Sequence, residues 1–184
     1  MPATKTDVVP KLVSVFRQYG YEGATLSRIS TATGLGRASL YHHFPQGKQG
    51  MAAAVLEHIS ETFRELVLAP LQTQAEPIAR LMAMSQGLAQ FYDQGRRACF
   101  LDIFSLGEAG ELFQTRNQRA IQAWIAAIAQ VLQEAGLPAA IAEHRAQEAV
   151  MQIQGGLIVA RLGNAAPFLR ILAALPQRLL APIV

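Results

Sequence analysis

Apolar residues recur at steps of three and four along almost the whole chain, and this spacing predicts helices. The first helix is expected over residues 6–19, with Gly20 at its end. Its buried face is predicted to carry Val8, Leu12, Val15, Phe16 and Tyr19. Runs of alternating Val, Ile and Thr between turn residues, which would indicate strands, do not occur in the sequence. The pattern therefore predicts an all-α protein.

Two short helices are predicted next, separated by a turn that contains glycine. The first begins after Thr25, whose hydroxyl is suited to an N-cap, and ends at Gly34. The second covers residues 37–44. Two helices at this spacing are typical of the helix-turn-helix, whose second helix enters the major groove of DNA. The first three helices thus predict a DNA-binding domain.

The remaining pattern predicts a larger helical domain. A long helix over residues 48–67 is expected to link the two domains. Gly and Pro residues then separate further helices, expected over residues 76–94, 100–108, 112–135, 139–162 and 166–181. The predicted division is a helix-turn-helix domain at residues 1–48 and an effector-binding and dimerisation domain at residues 49–184.

The composition indicates two kinds of partner, a second subunit and an anionic molecule. Hydrophobic residues make up 51% of the 184 residues and charged residues only 16%, which favours burial against a second copy. Residues 1–50 hold six Lys or Arg against two Asp or Glu, whereas the rest of the chain holds ten against eleven. This basic surplus at the N-terminal end is expected of a module that faces nucleic acid.

Several classes of protein are not expected from this sequence. It has no signal-peptide pattern, and no apolar run approaches the roughly 20 residues that span a bilayer, so a cytoplasmic protein without membrane contact is predicted. The single cysteine, Cys99, and four scattered histidines give neither a disulfide nor a zinc spacing. A nucleophile elbow and a phosphate loop are also missing, and we expect no cofactor and no enzyme activity. Whether Cys99 senses redox state or only packs in the core is left open.

A recognisable signature covers residues 21–48. It reads YEGATLSRISTATGLGRASLYHHFPQGK and combines the Thr25 cap, the glycine turn and a Leu-Tyr-His-His-Phe ending that Lys48 follows. The combination resembles the DNA-binding signature of the TetR family of repressors, and the match extends over roughly residues 8–56. The chain departs from the family's pattern at Gly36, Ala38 and the longer Pro45-Gln46-Gly47 segment.

The resemblance implies roles for individual residues. Thr25 would cap the second helix and contact phosphate, and Lys48 would also contact phosphate. Ser27 stands where many members carry an arginine for base contact, and whether Arg28 takes over is left open. The side chains implied to face DNA are Arg37, Ala38, Ser39, Tyr41 and His42. Among these, an arginine can donate two hydrogen bonds to guanine.

The C-terminal half offers candidates for two further surfaces. An apolar ligand pocket is suggested by Met82, Phe91, Phe100, Phe104, Trp124 and Met151, although a plain helical core explains the same residues. The wide apolar surface of the last two helices predicts pairing with a second copy as a four-helix bundle. Its candidate residues are Gln147, Met151, Gln154, Ile158, Arg161, Phe168, Leu172 and Leu175.

The function expected from these observations is that of a dimeric transcriptional regulator. Dimer geometry requires two recognition helices about 34 to 36 Å apart to read a palindromic operator. A small, apolar effector bound in the C-terminal domain is expected to change that separation and release the DNA. A DNA-binding protein without an effector and an all-helical enzyme that keeps the motif by descent are the alternatives.

Overall fold

The computed structural model describes residues 4–182, and every regular element in this range is a helix. The helices are α1 (Lys5–Gly23), α2 (Leu26–Thr33), α3 (Arg37–His43), α4 (Gly47–Phe63), α5 (Pro77–Phe91), α6 (Phe100–Ile103), α7 (Gly107–Glu134), α8 (Ala139–Leu162) and α9 (Ala166–Leu179). The predicted all-α class is therefore confirmed. None of the helices in residues 4–182 is long and apolar enough to cross a membrane.

The chain forms two compact units. The N-terminal unit contains residues 4–61 and 100–117, and the C-terminal unit contains residues 62–99 and 118–182. The N-terminal unit thus holds more of the chain than the predicted domain at residues 1–48. Most of α4, all of α6 and the start of α7 belong to it.

Helix α1 changes direction at Gly20. The helix starts with a capping box, in which Thr4 Oγ1 accepts from the Asp7 amide and Asp7 accepts from the Thr4 amide. Gly20 has a φ of +69°, a conformation that L side chains rarely adopt. Because this residue breaks the helical register, the buried aromatic is Tyr21, which is 1% exposed, and not Tyr19, which is 39% exposed. The predicted burial of Tyr19 was wrong for this reason.

An aromatic cluster forms the core of the N-terminal unit. The ring centroids of Phe16 and Phe104 are 5.7 Å apart. The centroid of the Tyr21 ring lies 6.0 Å from that of Phe104 and 6.2 Å from that of Phe113. Offset and edge-on ring pairs of this kind contribute about 0.5 to 1.5 kcal/mol each beyond their buried area. The cluster joins α1 to the segment around α6 and to the first turns of α7.

The segment at residues 100–112 differs from its prediction. The expected helix at 100–108 is a single turn, Phe100–Ile103, and the next helix begins at Gly107 instead of residue 112. Gly110 falls in the gap between the two helices that the sequence predicts, but it lies inside α7. A Cβ there would lie 2.7 Å from the carbonyl oxygen of Ser105, so a close backbone approach accounts for this glycine.

The C-terminal unit is built around α5. Helix α4 ends at Phe63, earlier than predicted, and continues as a π-helical turn, Arg64–Leu68, followed by a 3₁₀ turn, Ala69–Gln72. Arg80 of α5 is buried, donates from Nε to the Leu71 carbonyl at 2.8 Å and pairs with Glu134 of α7. The hydrogen bond from Arg80 holds the pKa of Glu134 below its ordinary value.

Helices α8 and α9 pack closely on each other. A Cβ at Gly156 of α8 would lie 2.9 Å from Cδ1 of Ile171, so the glycine leaves space for this isoleucine of α9. The carbonyls of Leu179 and Ala181, at the end of α9, accept from Arg145 of α8 at 2.8 and 2.7 Å. The inward face of α9 carries Phe168, Leu172, Leu175 and Leu179.

We expect Gly87→Ala to destabilise the C-terminal unit. A Cβ on Gly87 would lie 1.8 Å from the Leu66 carbonyl oxygen in the π-helical turn, so α5 and this turn must separate to admit a methyl group. The free energy of unfolding should fall by about 3 kcal/mol, as in other overpacked sites. Urea denaturation followed by circular dichroism measures it. The exposed neighbour variant Gln86→Ala should stay within about 0.5 kcal/mol of wild type. Equal stability of Gly87→Ala and wild type would contradict the close approach.

Candidate nucleic-acid interface

The α2–α3 pair has the geometry that its sequence predicts. Thr25 is the N-cap of α2, where its Oγ1 accepts from the Arg28 amide at 3.3 Å, and Gly34 is the C-cap. Across the turn, Ser30 Oγ donates to the Leu35 carbonyl at 2.6 Å. Ile29 of α2 and Leu40 of α3 are fully buried and anchor the two helices to the core. The predicted cap and the predicted end of α2 are confirmed.

Helix α3 presents a polar surface to solvent. Its exposed side chains are Arg37, Ala38, Ser39, Tyr41 and His42, the five residues predicted to face DNA. Leu40, in the middle of the helix, and Phe44, its C-cap residue, are buried. A guanidinium, a hydroxyl, a phenol and an imidazole on one short helix offer donors for phosphate oxygens and both donors and acceptors for base edges.

Ser27 and Arg28 of α2 have different environments. Ser27 is exposed, and its carbonyl accepts from Thr31 Oγ1 at 3.0 Å. The Arg28 guanidinium donates to the Gly23 carbonyl at 2.7 Å and lies 4.3 Å from the centroid of the Tyr19 ring. These two contacts tie Arg28 to the end of α1. They favour an anchoring role for Arg28 over a base contact, a choice that the sequence left open.

Lys48 lies in the first turn of α4, beside an aromatic ring of α1. Its Nζ is 4.1 Å from the centroid of the Tyr21 ring, within the range of a cation–π contact. Gly47, with φ +59°, starts α4, and a Cβ there would lie 3.2 Å from Cε1 of Tyr41. The side chain of Tyr41 thus packs against the start of the helix that carries Lys48.

Tyr21 is the functional candidate that sequence reasoning missed. Its hydroxyl donates to Glu108 Oε1 over a long 3.5 Å, and burial, followed by the charge of Glu108, raises the pKa of Tyr21. The phenol therefore remains neutral at physiological pH. Its place within the signature segment was visible in the sequence, but the spacing gave no sign of a contact with Lys48, 27 positions away.

Two further lysines of the N-terminal unit lie beside the ends of the short helices. Lys5 Nζ is 5.4 Å from the centroid of Phe44, the C-cap residue of α3. Lys11 Nζ donates to the Thr33 carbonyl at the end of α2 at 3.2 Å. Sequence reasoning singled out neither lysine, although both belong to the N-terminal basic surplus.

The six ligand-pocket candidates do not form one cluster. Phe91 and Trp124 meet at Phe63, with centroid distances of 5.2 and 5.1 Å. Met82 and Met151 are exposed. Phe100 and Phe104 belong to the aromatic core of the N-terminal unit. Only Phe91 and Trp124, both buried, therefore share an environment in the C-terminal unit.

The eight dimer candidates divide into an outer and an inner group. Gln147, Met151, Ile158 and Arg161 are exposed on α8, and Gln154 is half-buried. Phe168, Leu172 and Leu175 of α9 are at most 3% exposed. These three side chains pack inside their own chain, so they cannot also cover a partner. Two exposed apolar residues of α8 that the sequence did not single out are Val159 and Leu162.

Two family models match the chain. The model of bacterial regulatory proteins of the tetR family matches residues 12–55. The model of the C-terminal domain of LmrA/YxaF-like transcriptional regulators matches residues 77–174, which is more than half of the chain. The first match covers the α2–α3 pair, and the second covers most of the C-terminal unit.

Two proteins of Bacillus subtilis (strain 168) are similar in sequence. The HTH-type transcriptional regulator LmrA is 22% identical over 187 residues, which cover 96% of each chain. The uncharacterised HTH-type transcriptional regulator YxaF is 22% identical over 149 residues, which cover 79% of this chain and 78% of its own.

Solved structures of TetR transcriptional regulators share the fold. One from Legionella pneumophila superposes with a TM-score of 0.82 at 19% identity, over 97% of this chain and 98% of its own. Another, from Chloroflexus aurantiacus, has a TM-score of 0.77 at 22% identity, over 94% of this chain and 91% of its own.

We expect Thr25→Ala to lower the free energy of unfolding by about 1 kcal/mol, because the first turn of α2 loses its cap. Thr25→Ser keeps an oxygen for the Arg28 amide and should stay within about 0.5 kcal/mol of wild type. Urea denaturation of the three proteins, followed by circular dichroism, measures the difference. If alanine and serine prove equally stable at this position, the cap contributes nothing to folding.

Proposed function

Because this chain belongs to the TetR family of bacterial transcriptional regulators, we propose that it is a homodimeric repressor that a small-molecule effector releases from a palindromic operator. The observation that carries the DNA-binding part is the α2–α3 pair. A side-chain cap and two fully buried anchors fix these helices, while five predicted DNA-facing side chains of α3 remain exposed.

The proposed DNA contacts fall into two groups. Arg37, Ser39, Tyr41 and His42 of α3, with Ser27 of α2, read base edges or the phosphates beside them, and Ala38 allows close approach. Thr25, Lys48 and Lys5 contact phosphate. Lys5 joins this group because its ammonium lies over Phe44, at the end of α3. Phosphate contacts set the position of the protein, and base contacts set its specificity.

The proposed dimer interface is a stripe on α8. Met151, Ile158 and Leu162 lie along one side of this helix with Gln147 and Arg161, and Leu162 is 85% exposed. Ala173 and Ala174 on α9 are also exposed, and their small side chains would allow a partner helix to approach closely. Two copies of α8 and α9 would form a four-helix bundle with twofold symmetry. Phe168, Leu172 and Leu175 are excluded from it, since they fill the core of their own chain.

The proposed effector binds in the C-terminal unit, beside Phe63, Phe91 and Trp124. An apolar compound suits these three rings. DNA binding requires the two recognition helices to lie about one DNA turn apart. For release, the effector must bind a conformation with a different separation more tightly than it binds the DNA-bound conformation. Trp124 is the only tryptophan of the chain, so its fluorescence reports directly on compounds that bind there.

Selection from a pool of random duplexes tests the DNA-binding proposal. Wild type should enrich a palindrome, whereas the Arg37→Ala, Tyr41→Ala double variant should not, because two side chains of the proposed reading surface are lost. Arg119→Ala, which removes a positive charge from the exposed surface of the C-terminal unit, should recover the same palindrome as wild type. Sequencing of the bound DNA reads out all three proteins. Recovery of unselected DNA by wild type would contradict the proposal.

Sedimentation velocity tests the dimer interface. Ile158→Lys with Leu162→Lys places two charges in the proposed stripe, and the dimer should dissociate at micromolar concentrations because buried charges without partners are costly. The matched control carries two lysines on the exposed side of α5, at Gln86 and Gln90, and should remain dimeric. A dimer of unchanged affinity in the α8 variant would place the interface elsewhere.

A further inference from the structure

We propose that Tyr21 is a positioning residue for operator binding, because its ring holds the ammonium of Lys48 in place for a DNA phosphate. This inference rests on the proposed phosphate contact of Lys48. Tyr21 itself would not contact DNA. The start of α7, which packs on Tyr21, would support the DNA-binding surface indirectly.

The Tyr21 ring is a fixed platform. Its side chain is 1% exposed, and the rings of Phe16, Phe104 and Phe113 lie 6.0 to 6.2 Å from it, centroid to centroid. A buried ring among three others has little freedom to turn. An ammonium that settles on it, 4.1 Å from its centroid, is held in one region of space.

Holding the ammonium before DNA arrives strengthens binding. A free lysine side chain samples many rotamers and loses that entropy when it is fixed on a phosphate. A lysine already held by a ring loses part of it on folding, so association with DNA costs less. The ring attracts the charge from one side and uses none of the three N–H donors in a conventional hydrogen bond, so they remain for phosphate oxygens.

Two sets of contacts fix the two partners relative to each other. Tyr21 is held from α7 first by the ring of Phe113, whose centroid lies 6.2 Å from its own. Its hydroxyl adds only a long contact with Glu108, whose own amide donates to Glu22 Oε1 at 3.0 Å. The start of α4, which carries Lys48, is held from α3, because the ring of Tyr41 lies against Gly47. The phosphate contact is thereby tied to the helix that carries the base-reading side chains.

The salt dependence of operator affinity tests this role, since it counts phosphate contacts and a general loss of stability does not change it. On the duplex selected by wild type, Lys48→Ala should reduce the slope of log affinity against log salt by about 2 for a dimer, at about 0.9 per phosphate. Tyr21→Leu should reduce the slope towards that of Lys48→Ala and raise the dissociation constant by about tenfold. Adding Tyr21→Leu to Lys48→Ala should change the slope no further.

Tyr21→Phe is the matched control, since it keeps the ring and removes only the contact with Glu108. It should retain the slope of wild type and an affinity within about twofold. A wild-type slope in Tyr21→Leu, a slope loss in Tyr21→Phe as large as in Tyr21→Leu, or an unchanged slope in Lys48→Ala would each overturn the proposal.

Variants that carry a fluorinated phenylalanine at position 21 test the role of the ring without disturbing the fold. Successive fluorine atoms weaken the negative face of the ring with little change in its shape, so affinity should fall stepwise with fluorination. Equal affinity along the series would overturn the proposal. Failure of the proposed function gives a different result, because wild type then selects no palindrome. If only the Tyr21 role is wrong, wild type still selects a palindrome, but the salt dependence of its affinity does not change when the ring is removed.

Discussion

The turn of the backbone at Gly20 decides which aromatic side chain of α1 enters the core. With φ at +69°, the helical register shifts, Tyr19 stays at the surface and Tyr21 is buried. Both rings then meet a cation: Tyr19 lies under Arg28 of α2, and Tyr21 lies under Lys48 of α4. One backbone angle therefore sets how the end of α1 meets α2 and α4 in the N-terminal unit.

The parts of the fold that the sequence predicts are those with local signals. The cap at Thr25, the end at Gly34 and the short helix that begins at residue 37 each depend on residues within one or two turns. The segment at residues 100–112 was not predictable in this way. Gly110 looks like a helix break, yet it lies inside α7, where the close approach of the Ser105 carbonyl favours glycine, and the residue type alone does not distinguish these two roles. The Tyr21–Lys48 contact was not predictable for a different reason, since the two residues are 27 positions apart and no local pattern links them.

Burial in the last two helices shows a second limit of sequence patterns. When an apolar stripe is wider than a single core requires, it indicates a second interface. The stripe does not show which of its residues lie in the core and which lie in that interface. In the structure, Phe168 and Leu172 fill the chain's own core, whereas Met151 and Leu162 remain outside. The expectation that some apolar surface is left for a partner fits the exposed side of α8. The assignment of individual residues required the packing of α9 on α5 and α8.

The buried and the exposed residues of α3 have separate parts, the first in folding and the second in the proposed contact with DNA. Seven residues are too few for a helix that is stable alone in water, so α3 depends on its neighbours. Two buried residues, Leu40 and Phe44, supply that anchoring. The exposed side chains from Arg37 to His42 have no part in the core, although the ring of Tyr41 also lies against Gly47 at the start of α4. In the proposed complex these side chains therefore determine the operator sequence, while Tyr21 and Lys48 determine where the helix sits on the phosphate backbone.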